Sequence, residues 1–170
     1  LPGLKKPAAL VGIAEKGTVN IDCSIQLFGG HASAPQKHST AGFISQAVCE
    51  IEKNSFKAKL TKPVYEMFRA IAPHCSQPYR FIFKHAKLFS PLLKLLSPYL
   101  GAEFNAMMRT TCAVTKLQGS PAYNVIPPLS SLGLNLRLME GETIESAKQW
   151  IKKRFRKVEK LLQKKHSTKN

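Results

Sequence analysis

The segment Gly29-Gly30-His31-Ala32-Ser33-Ala34-Pro35 sets a single imidazole in a short polar loop between two regular elements. Before it, Thr18 to Phe28 alternates Val19, Ile21, Cys23, Ile25 and Leu27 with Asn20, Asp22, Ser24 and Gln26, the period of a half-buried strand. After it, Ser39 or Thr40 can cap a helix in which Ile44, Ala47, Val48 and Ile51 recur at helical spacing. The glycines permit positive φ and a close backbone approach, and Pro35 stiffens the exit. His31 is thereby held at a strand-to-helix corner, where it can donate to an anionic or carbonyl oxygen. Taken alone, the loop equally describes a histidine that fills a turn.

A second polar candidate is Asn124, at the head of Asn124-Val125-Ile126-Pro127-Pro128. The paired prolines deny this stretch ladder hydrogen bonds and bias Ile126 away from helix, giving a rigid loop. From it Asn124 can donate and accept toward a substrate, or close a turn through its own backbone.

Six motifs occur in order: Glu15-Lys16-Gly17, Gly30-His31-Ala32-Ser33-Ala34-Pro35, Arg109-Thr110-Thr111, Asn124-Val125-Ile126-Pro127-Pro128, Asn135-Leu136-Arg137 and Gly141-Glu142-Thr143. Together, over roughly residues 8 to 150, they resemble the zinc-dependent amidohydrolases and peptidases that include glutamate carboxypeptidase, succinyl-diaminopimelate desuccinylase and aminoacylase. The carboxypeptidase S and N-acyl-amino-acid hydrolase branch is the nearest match. Such enzymes join a catalytic domain holding two zinc ions to a smaller lid, or dimerisation, domain, and this chain resembles the lid. The resemblance implies a homodimer in which His31 reaches the partner subunit's active site to hold the oxyanion, with zinc activating water in the missing catalytic domain. It implies that Asn124 orients an N-acyl amino acid or peptide substrate, and that Arg137 serves substrate carboxylate binding or the hinge.

The metal ligands of that family are not recognisable in the sequence. His31, His38, His74, His85 and His166 show neither i, i+4 nor His-x-Asp spacing, whereas a metal site needs several such groups converging at about 2 Å. No metal is therefore expected on this chain, and no catalysis by it alone. Cys23, Cys49, Cys75 and Cys112 form no CxxC pair and read as reduced core residues, which favours the cytoplasm. The chain opens on Leu without a signal peptide, as a trimmed fragment would, and no apolar run approaches the ~20 residues of a membrane span.

Net charge offers a competing function. Lys and Arg total 26 against 10 acids, for +16, and from Lys148 to Asn170 ten basic residues face only Glu159. An interaction module using Lys152 to Lys165 on acidic partners or nucleic acid is the alternative. Helix-turn-helix, zinc-finger and ribonucleoprotein aromatic patterns are all missing, which argues against nucleic acid.

The elements that must position these residues follow in order. Ala8 to Ala14 is an apolar run read as a strand, within a junction, residues 1–14, from the catalytic domain. Residues 15–158 form the lid, and residues 159–170 a basic tail. Within the lid, residues 56–104 form a helical insertion: Pro63 opens a helix bearing Val64, Met67, Phe68 and Ile71, and Ser90-Pro91 opens another, Leu92 to Leu96, closed by Pro98. Its apolar faces are expected to pack on the sheet; alternatively Phe81 and Phe83 help roof an acyl pocket. Met107 to Leu117 and Leu132 to Leu138 read as strands. Thr143 caps a last helix carrying Ile144, Ala147, Ile151, Phe155, Val158 and Leu162 on one face, beside Trp150. Either a final strand is missing or this helix is prolonged. The expected fold is α+β: an antiparallel sheet with helices on one face, a ferredoxin-like lid with a helical insertion.

Overall fold

The computed structural model describes residues 3–5, 7, 12 and 15–167. The strand expected over residues 8–14 lies outside the described residues, apart from Gly12. Two compact units divide the chain, Leu1–Gly17 with Phe56–Thr110 and Thr18–Ser55 with Thr111–Asn170.

The second unit carries the sheet. Its strands are β1 (Gly17–Gln26), β3 (Thr111–Gln118) and β5 (Leu129–Leu138), in the order β1-β5-β3. A second, two-stranded ladder joins β2 (Gly30–His31) to β4 (Val125–Ile126). β3 and β5 are antiparallel, with Thr111 opposite Arg137 and an irregularity between Val114 and Lys116. The expected alternation holds on central β5: Leu132, Leu134, Leu136 and Leu138 are buried, while Asn135 and Arg137 occupy the other face. Against β5 packs α1 (Thr40–Glu52), burying Phe43, Ile44, Ala47 and Ile51, and α1 packs in turn on α6 (Ile144–Ser167), which buries Ala147, Ile151 and Val158.

Both helices begin on side-chain caps. Ser39 Oγ accepts from Gly42 N–H at 3.2 Å. Thr143 and Ser146 form a reciprocal box, Ser146 N–H donating to Thr143 Oγ1 at 3.1 Å and Thr143 N–H to Ser146 Oγ at 3.0 Å. Gly141, at φ 81°, makes the turn before it. α6 runs on to Ser167, so the prolonged helix replaces a final strand within the described residues. Ile144, assigned above to the buried face, is 50% exposed because it stands at the first turn, ahead of the packed stretch. The side chain of Leu162 is outside the described residues.

The first unit is helical: α2 (Lys62–Ile71), α3 (Tyr79–Lys84), α4 (Ser90–Leu96) and α5 (Ala102–Met107). Its core is Phe68, Ile71, Cys75, Phe83, Leu93, Phe104 and Met108, with Phe68 stacked on Phe83 at 4.8 Å and on Phe104 at 5.6 Å. The insertion's apolar faces thus close on one another in a core of their own. Phe83, 1% exposed, belongs to that core and cannot roof a pocket.

Met107, read above as the start of a strand, ends α5, and β3 begins at Thr111. Lys16 fixes this helix end: its ammonium donates to Ala106 O, and to Arg109 O at 2.6 Å, satisfying carbonyls a helix terminus leaves open. Burial lowers its pKa from the ordinary lysine value. Arg109 is buried at 8% exposure, donating to Phe56 O at 3.2 Å and Ser97 Oγ at 2.7 Å.

Candidate functional site

The His31 loop is built by a close backbone pairing. Gly30 lies opposite Ile126 and His31 opposite Val125; the ladder extends through Ala32 N–H to Asn124 O at 3.0 Å and Leu27 N–H to Pro128 O at 2.9 Å. Two expectations are corrected here. Val125 and Ile126 do make ladder bonds, since the prolines lie at 127 and 128 and leave their own amides intact. Nor do Gly29 and Gly30 adopt positive φ, which occurs only at Gly3, Gly101 and Gly141 among the described residues. What Gly29 supplies is clearance: a Cβ there would meet Ile126 O at 2.8 Å and Pro128 N at 3.1 Å.

Behind the loop, Thr40 Oγ1 donates to Pro127 O at 2.8 Å and lies 2.8 Å from Ser130 Oγ. With the Thr40 proton committed to Pro127, Ser130 supplies the donor of the second bond. This buried pair ties the first turn of α1 to the β4–β5 corner, so the loop and its support share one rigid seat.

The His31 side chain is exposed. Its Nδ1 accepts the Ser33 N–H at 3.2 Å and lies 2.8 Å from Ser33 Oγ. An amide can only donate, so Nδ1 carries the lone pair and the neutral ring carries its proton on Nε2, an assignment from the hydrogen-bond network. Nε2 is then the donor presented away from the loop. Asn124 is also exposed, and its backbone carbonyl binds the residue after His31, so the structure brings these two candidates together. Arg137 is elsewhere. It sits near the far end of β5, Nη1 donating to Thr18 Oγ1 at 2.6 Å. At ~3.3 Å per residue, that is about 26 Å along the strand from the Leu129 end that adjoins β4.

Three further residues frame the loop: Phe28 (82% exposed), Tyr123 and Val125 (43%). Phe28 closes the strand pattern and Val125 sits in the proline motif described above, but neither periodicity nor motif assigned them, or Tyr123, to the loop. Ser33 was also missed as the partner of His31, although a hydroxyl two residues on is the spacing at which such local bonds form.

No three His, Cys, Asp or Glu side chains converge as a metal site among the described residues. The donor set of the described residues does not fit a metal centre. All four cysteines are free; Cys75 is buried and Cys23 and Cys112 half-buried, but Cys49, expected in the core, is exposed because it lies on the outward side of α1. Burial pushes the Cys112 thiol up to about 11. No described helix is long and apolar enough to cross a membrane.

A probable carboxypeptidase S-like 2 of Dictyostelium discoideum is 38% identical over 143 residues, 84% of this chain and 27% of that protein. The N-fatty-acyl-amino acid synthase/hydrolase PM20D1 of Xenopus tropicalis is 32% identical over 146 residues, 85% of this chain and 28% of its own length. The chain thus spans less than a third of these relatives. Among solved structures, human carnosine dipeptidase 1 shares the fold at a TM-score of 0.50 and 12% identity, over 89% of this chain and 34% of that one. The family profile described as peptidase dimerisation domain matches residues 13–161, and the chain belongs to that family, the M20 dimerisation domains.

Proposed function

We propose that the chain is the lid of a zinc-dependent, homodimeric hydrolase of N-acyl amino acids or peptides, with His31 donating from Nε2 to the substrate carbonyl oxygen in the partner's active site. Residues 15–158 form the lid, residues 56–104 its insertion, residues 1–14 the junction and residues 159–170 a basic tail. The zinc centre belongs to segments outside these residues. The observation that carries the proposal is the exposed His31 with Nδ1 capped by Ser33, seated beside Asn124 in a chain of this family. A donor preset toward the place where negative charge develops is the arrangement that stabilises an oxyanion. Asn124 would orient the substrate, and Arg137, tied to Thr18, would hold the sheet end near the hinge rather than touch substrate.

The test is subunit mixing in the full-length protein. His31→Ala protomers are combined with protomers inactivated in their metal centre, each inactive alone. If His31 acts across subunits, heterodimers carry one intact site and random mixing restores about a quarter of the wild-type activity. Loss of activity in His31→Ala without restoration means that His31 acts within its own subunit; undiminished turnover of His31→Ala removes it from the reaction.

A second function keeps one observation in its favour: Lys152, Lys153, Arg156 and Lys160 are exposed on α6. Sequence-independent binding of duplex DNA at about micromolar affinity and physiological salt would favour an interaction module for acidic partners or nucleic acid.

A further inference from the structure

α4 is apolar on two sides. Leu93, 3% exposed, faces the core, and Ser97 just beyond the helix is fully buried. Away from it, Leu88 is 75% exposed, Leu92 38%, Leu95 69% and Tyr99 83%. Leu92 and Leu95 lie three residues apart on α4, Leu88 in the turn that leads into it and Tyr99 in the 3-10 turn that follows it. The chain is continuous through the start of α4, with Phe89 N–H donating to His85 O at 3.1 Å and Leu93 N–H to Phe89 O at 2.9 Å. A helix with apolar residues on both faces ordinarily lies wholly inside a protein. Here the outer side chains need an apolar medium that the helical unit does not supply.

Charge identifies that medium. From Met67 to Ala102 the sequence has no Asp or Glu but has Arg69, Arg80, Lys84, Lys87 and Lys94. Arg69, Arg80 and Lys84 line one groove with Ala72 and Pro73, with no acid among them. Lys84 stands four residues before Leu88, and Lys87 Nζ lies 4.7 Å from the Tyr65 ring centre. A second copy of the chain would bring the same cations against these. Nucleic acid would take the cations but leave the leucines in water. Exposed leucines in a segment that carries cations and no acid match the headgroup and acyl boundary of an anionic bilayer.

We propose that the α3–α4 surface docks on anionic phospholipid membranes, the Leu88, Leu92, Leu95 and Tyr99 side chains entering the interface while Arg69, Arg80 and Lys84 meet lipid phosphates. This docking does not depend on the role of His31.

The experiment is cosedimentation of the intact protein with phosphatidylcholine vesicles containing phosphatidylserine, and with phosphatidylcholine alone. Salt is raised enough to screen the general attraction of a +16 chain. Leu88→Ser/Leu95→Ser/Tyr99→Ser keeps every charge and changes only exposed positions. It should lower the partition coefficient into phosphatidylserine vesicles at least about tenfold, since interfacial affinity scales with apolar area buried. Independently, Leu95→Trp in a Trp150→Phe background should show blue-shifted emission on vesicles and quenching by brominated acyl chains. Partition unchanged by the triple variant would trace binding to overall charge and overturn the proposal, as would unshifted Leu95→Trp emission. So would absence of vesicle binding, including the case in which the triple variant turns a dimer into monomers and these side chains prove to be covered by a second copy.

Discussion

The Ser33 amide holds His31 Nδ1 at 3.2 Å, within the same turn that presents the ring to solvent. Because that amide cannot accept, the bond selects one tautomer without help from any acid. In the full-length enzyme, His31→Ala should lower kcat by on the order of 10² to 10³, the range for losing one preset oxyanion donor. Ser33→Ala keeps the amide and should lose less. Ser33→Pro removes the N–H and should fall between the two. Nitrogen NMR of the labelled imidazole checks the cause directly: the neutral ring should carry its proton on Nε2 in the wild type, and a mixture of tautomers in Ser33→Pro. A wild-type ring already mixed would separate His31 from this device.

Gly29 and Gly30 should respond differently to alanine although they are adjacent. At Gly29 the added methyl meets Ile126 O at 2.8 Å and Pro128 N at 3.1 Å, backbone atoms that move only if β4 moves. At Gly30 the nearest atom is Ile126 Cδ1 at 3.9 Å, an ordinary contact. Gly29→Ala should therefore cost about 1–3 kcal/mol of stability, in the range of overpacked sites, and speed hydrogen exchange at the Leu27 and Ala32 amides. Gly30→Ala should leave that exchange unchanged. Equal protection in both variants would mean that the β2–β4 pair yields easily and does not hold the His31 loop.

Arg109 joins the first residue of the insertion to the turn after α4, through Phe56 O and Ser97 Oγ. Burial lowers its pKa, and its Nε is buried without a partner, so the charge itself is held at a cost. Two effects compete in Arg109→Met: relief of that desolvation, and loss of the two bonds to Phe56 O and Ser97 Oγ, the latter still donating to Lys94 O at 3.0 Å. The second should win, with a loss of about 1–3 kcal/mol in urea unfolding. Arg109→Lys should not rescue it, because a single ammonium lacks the fork that reaches both acceptors. A neutral or stabilised Arg109→Met would show that desolvation dominates.

Legibility in the sequence tracked how local each cause is. The leucine alternation of β5, the α1 cap at Ser39 and the Thr143 start of α6 each rest on neighbours within one strand or turn, and all were readable. The destination of the insertion's apolar faces was not, because a helical stripe reports that a face is buried and not against what. Met107 misled because the threonines that follow favour a strand, whereas α5 and its Lys16 contacts are set from a site 90 residues away. For the candidate site, the loop that displays His31 was legible. Its pairing with β4 was masked by Pro127 and Pro128, and the separation of Arg137 from Asn124 required the register of the sheet.

Thiol chemistry separates the four cysteines by burial. Cys49 is exposed, while burial raises the pKa of Cys75, of Cys23 with help from Asp22, and of Cys112 to about 11. The thiolate is the reactive form, and an ordinary cysteine titrates near ~8.5. At mildly alkaline pH a disulfide reagent should therefore modify exposed Cys49 well before Cys112, which burial both shields and keeps protonated. The same shift bears on stability. Since the folded Cys112 binds its proton more tightly than the unfolded one, its contribution is fully present below the unfolded value of ~8.5. It is lost as pH rises toward the folded value of about 11. Cys112→Ala removes this titration, so the melting-temperature gap between wild type and variant should be constant from neutral pH to ~8.5 and then shift against the wild type up to about 11. A gap that stays constant over the whole range would mean that the Cys112 thiol titrates alike in both states, and that the half-buried face of β3 is wetter than its packing implies.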